Sequence, residues 1–109
     1  MSASLISAET RFLQLKDHLT YPKSGVHKKV IWKSEGCEFN LVCLAGTTKI
    51  PEHSSTSKVT VQIFEGTGTF TMKGESIELS PGVLVFVEAN VPHSLSATTD
   101  LAFVVTKSN

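Results

Sequence analysis

The chain is poor in the features that mark most functional classes. It has only two cysteines, Cys37 and Cys43, six positions apart on one face of one expected strand. That spacing is about 20 Å along a strand, too far for a disulfide between them. Two unbridged thiols fit a reducing compartment. The start, MSASLISAETRFLQLKD, has neither a basic n-region nor a long apolar segment, so no signal peptide is expected. No apolar run reaches the length of a membrane span. Charge of one sign is also missing: ten basic residues balance ten acidic ones. The nearest thing to a basic cluster, Lys23, Lys28, Lys29 and Lys33, is interrupted by apolar residues and reads as a solvated strand face. A cytoplasmic protein follows, with neither nucleic acid nor membrane as a partner.

Catalytic signatures are equally sparse. There is no G-x-S-x-G elbow, no C-x-x-C and no glycine-rich phosphate loop. Ser54, Ser55 and Ser57 lie near His53 but read as turn residues, and no acid is in place to orient a Ser-His pair. Helical periodicity and internal repeats are absent as well.

What remains is a series of short strands punctuated by Gly and Pro. Arg11 to Leu15 alternates weakly, as a short edge strand would. Val26 to Lys33 and Cys37 to Ala45 follow, separated by Glu35-Gly36. Lys49 to His53 carries Pro51, which confines that piece to an edge or a strand end. Val59 to Phe64 is β-branched and alternates cleanly, with Val59, Val61 and Ile63 on one side and Thr60, Gln62 and Phe64 on the other. Thr69 to Met72 and Ser76 to Leu79 form a hairpin around Lys73-Gly74-Glu75. Val83 to Val87 is apolar on both faces, as a buried central strand is. His93 to Ser96 and Leu101 to Thr106 close the series. With 40% hydrophobic and 18% charged residues, the 109 residues suit one all-β domain with one core, its residues 1–8 loosely attached.

Two stretches organise this pattern. The first, GTTKIPEHSSTSKVTVQIFEG, runs from Gly46 to Gly66; the second, PGVLVFVEANVPH, from Pro81 to His93. Together they resemble the two motifs of the cupins, and the resemblance covers roughly residues 37–106. Gly46 and Gly66 mark motif one with His53, with six residues between Gly46 and His53 where the motif has five; Gly82 and His93 sit at motif-two positions. Ser55 stands where the second histidine is expected and Val59 where the glutamate is. Glu88, Asn90 and Ala97 stand for the Pro, Gly and Asn of motif two. The resemblance implies a jelly-roll β-barrel of the small single-domain cupin type with an incomplete metal-ligand motif.

It also implies a metal site of three histidines and one glutamate, of which only His53 and His93 survive here. Two imidazoles plus water hold a divalent metal (Zn, Ni, Mn, Fe or Cu) only weakly. Gln62 has the wrong parity to help, and Glu52 and Glu88 face water on this reading. His27 and Cys43 are further donors whose register the sequence leaves open. Phe39, Leu41, Val61, Phe70 and Phe86 are candidates to line or close a cavity, with plain core packing as the competing explanation. Two functions fit. One is a small-molecule binding or sensing module with a degenerate metal site. The other is a metal-dependent enzyme, of dioxygenase or isomerase type, using His53 and His93. Apolar residues on both faces of several strands add the expectation of a homodimer.

Overall fold

Alternation in the sequence becomes two facing sheets. The computed structural model describes residues 12–108, so residues 1–8 and their expected loose attachment lie outside the described residues. The strands are β1 (Val26–Ser34), β2 (Cys37–Leu44), β3 (Lys49–His53), β4 (Lys58–Glu65), β5 (Gly68–Met72), β6 (Glu75–Leu79), β7 (Leu84–Val87), β8 (His93–Ala97) and β9 (Leu101–Ser108). One sheet has the order β1-β2-β9-β4-β7 and the other β3-β8-β5-β6. All the neighbours pair antiparallel. This is a jelly roll, and the core lies between its sheets.

In β4, Val59, Val61 and Ile63 point into that core while Gln62 is exposed. The facing layer comes from Phe70, Leu79 and Leu95 of the second sheet. Each large aliphatic or aromatic side chain so buried contributes about 1.5–3 kcal/mol. A second, smaller cluster lies on the outer face of the five-stranded sheet. There Leu41, Cys43 and Ala102 are covered by Leu15, Leu19 and Tyr21. Lys29 Nζ fixes this cover by donating to the His18 carbonyl (2.8 Å) and to Thr20 Oγ1 (3.0 Å). The Tyr21 hydroxyl donates to the Glu65 carboxylate, and burial together with that carboxylate pushes the phenol well up from its ordinary value. Both cysteines are free, and burial pushes the Cys43 thiol up.

Two expectations need correction. Val83 to Val87 is not a buried central strand. β7 pairs only with β4 at the sheet edge, and Leu84 and Phe86 are 45% and 66% exposed. A short apolar run cannot by itself tell a strand covered on both faces from an edge strand with an apolar outer face. The Arg11 to Leu15 piece is not a strand over its described part. Residues 12–14 are irregular and Leu15–His18 forms a 3-10 turn, the one helical element among the described residues. Leu15 packs against a sheet face instead of extending an edge, while Phe12 is exposed. No described helix is long and apolar enough to cross a membrane.

Gly66 is the most constrained glycine. Its φ is +94°, and a Cβ there would meet the Asp100 carbonyl oxygen at 2.0 Å. Gly74 shares a positive φ, +74°, but a Cβ there would meet nothing within 4 Å. Gly66→Ala is therefore expected to cost about 3 kcal/mol or more, combining backbone strain with a clash against main chain. Gly74→Ala should cost only about 1–2 kcal/mol. Urea unfolding of the two variants measures the difference, and equal losses would contradict the packing described at Gly66.

Candidate functional site

Pro51 shapes the site first. It cannot donate to a ladder, so it belongs on an edge strand or at a bulge. β3 is the edge of the four-stranded sheet, and its pairing with β8 slips between Ile50 and His53. After the slip, His53 lies directly across from His93. The two ring centroids are 4.4 Å apart with planes tilted by 58°.

Both rings are oriented by the main chain. His93 Nδ1 lies 2.9 Å from the Val91 carbonyl oxygen, and His53 Nδ1 lies 3.1 Å from that of Pro51. A carbonyl oxygen only accepts, so each Nδ1 carries the proton and donates. In the neutral rings the lone pair is then left on Nε2, the same device that fixes the tautomer of metal-bound histidine. His93 is 7% exposed and stacks on Phe70, centroids 5.5 Å apart and planes 11° from parallel. His53 is exposed. The loop that follows His53 and the loop that precedes His93 are tied together: the Asn90 amide donates to the Ser55 carbonyl at 2.7 Å, with Asn90 at a φ of +67°.

The histidines form part of the wall of a cavity of about 570 Å³ between the sheets. Val42, Val59, Val61, Phe103 and Val105 supply one wall, and Ile50, Phe70 and Leu95 the other. Ser54, Ser55 and Thr56 close part of the rim, and Lys28 and Lys107 also border it. Ser55 and Val59 thus reach the same cavity as the histidine pair, where the sequence motif places them. Ser55 Oγ accepts from the Ser57 amide at 3.1 Å, which is turn chemistry.

Other candidates separate. Val61 and Phe70 line the cavity; Phe39, Leu41 and Phe86 do not. Along β2 the inward face belongs to Asn40 and Val42, so Phe39 and Leu41 point outward. Phe39 stacks on Trp32, centroids 6.1 Å apart. Cys43 belongs to the outer cluster and His27 is not in the cavity wall. Gln62, Glu52 and Glu88 are all exposed. Among the described residues, no group of three or more His, Cys, Asp or Glu side chains comes together. Sequence reasoning missed Asn40 as a site residue. The available signal was an amide on the inward face of β2, beside Val42 and Leu44.

The sequence matches the family model described as Cupin domain over residues 40–106. A comparison with curated proteins finds no match. Among solved structures, the fold is similar to a conserved protein of unknown function from Streptococcus pyogenes, at 18% identity and a TM-score of 0.85, covering 100% of this chain and 96% of that one. It is also similar to a cupin superfamily protein from Desulfitobacterium hafniense, at 17% identity and a TM-score of 0.82, covering 90% of each. Salicylate 1,2-dioxygenase from Pseudoaminobacter salicylatoxidans, in a mutant form, aligns at 22% identity and a TM-score of 0.73, over 77% of this chain and 26% of that one.

The two histidines should differ sharply in their effect on stability. His93→Ala removes a buried ring between Phe70 and His53 together with its bond to Val91, a loss of about 2–4 kcal/mol. His53→Ala, at an exposed ring, should stay within about 1 kcal/mol. Thermal unfolding reads both, and a costly His53→Ala beside a neutral His93→Ala would contradict the described burial.

Proposed function

This chain belongs to the cupin domain family, and from that premise we propose that it is a small-molecule binding or sensing module. One observation carries the reading. At the position where the family resemblance expects a carboxylate ligand, the cavity wall has the buried, apolar Val59. The four-ligand metal set therefore does not fit: its donors reduce to two imidazoles, with Ser55 a weak neutral oxygen. What is left is a cavity of a volume that suits small organic ligands, with apolar walls and with the two histidines, Lys28, Lys107 and the hydroxyls of Ser54, Ser55 and Thr56 in its lining. His53 and His93 act as hydrogen-bond partners to the ligand through Nε2.

The experiment is a titration of isotope-labelled protein with small neutral ring compounds, followed through backbone amide shifts. The reading expects shifts clustered on Val61, Phe70 and Leu95 and abolished by the cavity-filling Val61→Phe. Shifts scattered over the outer faces, or indifferent to that substitution, would refute it.

A second reading is a metal-dependent enzyme of dioxygenase or isomerase type. Its support is the pair of histidines in the cavity lining, together with the likeness in fold to the dioxygenase. Metal affinity separates the two readings. The binding module expects Zn, Ni, Mn, Fe or Cu to be held weakly and lost on dialysis against chelator. Retention of stoichiometric metal through dialysis would favour the enzyme.

The missing donors can also be restored. Ser55→His with Val59→Glu places two more ligands on the cavity that already has His53 and His93. Burying the carboxylate without metal should lower stability by several kcal/mol, on the order of 2–4, or keep the group protonated. Added Zn or Ni should then raise the melting temperature of the double variant far more than that of wild type. Equal responses would mean that the four positions do not converge.

The reading extends to the surroundings. Free Cys37 and Cys43 suit a cytoplasmic setting. Exposed Leu84 and Phe86 on β7 suit a homodimer, which light scattering at micromolar concentration tests; a monomer mass would dismiss it.

A further inference from the structure

The fixed charges that line the cavity are of one sign. Lys28 and Lys107 belong to its lining, and no acidic side chain does among the described residues. Their places follow from strand pairing, because cross-strand partners share a face of a sheet. Lys107 of β9 lies directly across from Val59 of β4, and Lys28 of β1 from Val42 of β2. Both lysines therefore follow the valines onto the inner face. Lys28 is exposed and Lys107 half-buried, as ammonium groups are at a cavity mouth over stems that run along apolar wall. One carboxylate lies near them. Glu38 is opposite Lys33 on β1 and Lys107 on β9. Its carboxyl is held below the usual range chiefly by the Asn40 amide; burial opposes that effect, and Lys33, Lys28 and Lys107 add to it. Three lysines about one carboxylate leave an excess of positive charge, and Glu38 itself is not in the cavity lining.

The pairing of Lys107 with Val59 matters most. Val59 stands where the family resemblance expects the carboxylate that draws in a metal cation. Here hydrocarbon takes that place, and a lysine is set directly across from it, with Cβ atoms of such pairs about 5 Å apart. The charge at this position is reversed as well as lost. An ammonium group repels a divalent cation and attracts an anion. Further in, Val61, Phe70 and Leu95 offer contact to an apolar body and nothing to a charge. A ligand that satisfies both regions is amphipathic. A carboxylate suits the head better than a phosphate ester, whose second negative charge and larger hydration shell would be set against apolar wall and drawn towards Glu38. We infer that the cavity selects an amphipathic organic carboxylate, its head held by Lys107 and Lys28 and its apolar body received between the sheets. This inference rests on the binding-module reading and names the ligand class for it.

The test uses three probes that share one apolar body: naphthoate, its neutral counterpart naphthamide, and naphthyl phosphate. Binding is read from cavity amide shifts at low ionic strength in wild type, Lys107→Met, Lys28→Met and Lys58→Met. Methionine keeps a long apolar stem and removes the charge. Lys58 is the control, exposed on β4 one residue before Val59 and not in the cavity lining. Wild type should bind naphthoate at least about tenfold more tightly than naphthamide, and more tightly than naphthyl phosphate. Lys107→Met and Lys28→Met should each weaken naphthoate by about fivefold and leave naphthamide unchanged. Lys58→Met should alter neither, and added salt should weaken naphthoate alone. Naphthamide bound as tightly as naphthoate by wild type overturns the inference while leaving the binding module standing. So does a loss of naphthoate affinity in Lys58→Met as large as in the two cavity variants. A preference for naphthyl phosphate overturns the carboxylate class. Should one lysine variant fail to fold, the other and the wild-type comparison still decide. If none of the three probes moves a cavity amide in wild type, the binding-module reading fails and this inference with it.

Discussion

The site depends on one strand pairing, that of β3 with β8. The register slip between Ile50 and His53 sets His53 opposite His93. Without it, the rings would lie out of step by a residue, and a one-residue shift sends a strand's side chains to the opposite face. Pro51, lacking an N–H, tolerates this irregularity at no cost in ladder hydrogen bonds, and its carbonyl then orients the His53 ring. On the other strand the Val91 carbonyl does the same for His93, and Phe70 supports that ring from below. The Asn90 to Ser55 hydrogen bond holds the two loops together, so each histidine's position depends on the other motif.

Around this fixed pair the cavity is mostly hydrocarbon, which makes each polar group in it consequential. Low polarity strengthens a hydrogen bond that is made and raises the cost of one that is not. His53 and His93 have one nitrogen each committed to the main chain. Asn40 is buried in the same wall, and its amide holds the Glu38 carboxyl below the usual carboxylate range. Val59 completes the contrast, for an apolar side chain there removes the anionic donor that would draw a metal cation into the cavity. The histidine pair, the lysines and hydroxyls of the rim and the apolar walls between them are what the proposed binding reading rests on.

Much of this was legible in the sequence because it depends on period and punctuation. Strand alternation gave the all-β class, and Gly46, Gly66, Gly82 and the two histidines marked the family. The inward row Val59, Val61, Ile63 and the outward Gln62 follow from parity alone. Parity also placed Asn40 with Val42 on one face of β2, but it does not say which face is inward. Hence Phe39 and Leu41 read as cavity residues when they belong outside. Val83 to Val87 misleads for a related reason, since an apolar edge strand and a central strand look alike in sequence. The 3-10 turn at Leu15–His18 was hidden because Leu15, its one apolar residue, serves a sheet face that forms only in the tertiary structure. The burial of the Asn40 amide is likewise a property of three strands together.

The central claim is that both rings are held by main-chain carbonyls with Nδ1 protonated, which leaves the lone pair on Nε2. Long-range proton–nitrogen correlation spectra of the two histidines test it directly, at a pH high enough for neutral imidazole. The account predicts the Nδ1–H tautomer for both His53 and His93. On addition of a cavity ligand, the Nε2 resonances should shift much more than those of Nδ1. An Nε2–H tautomer at either ring would contradict it.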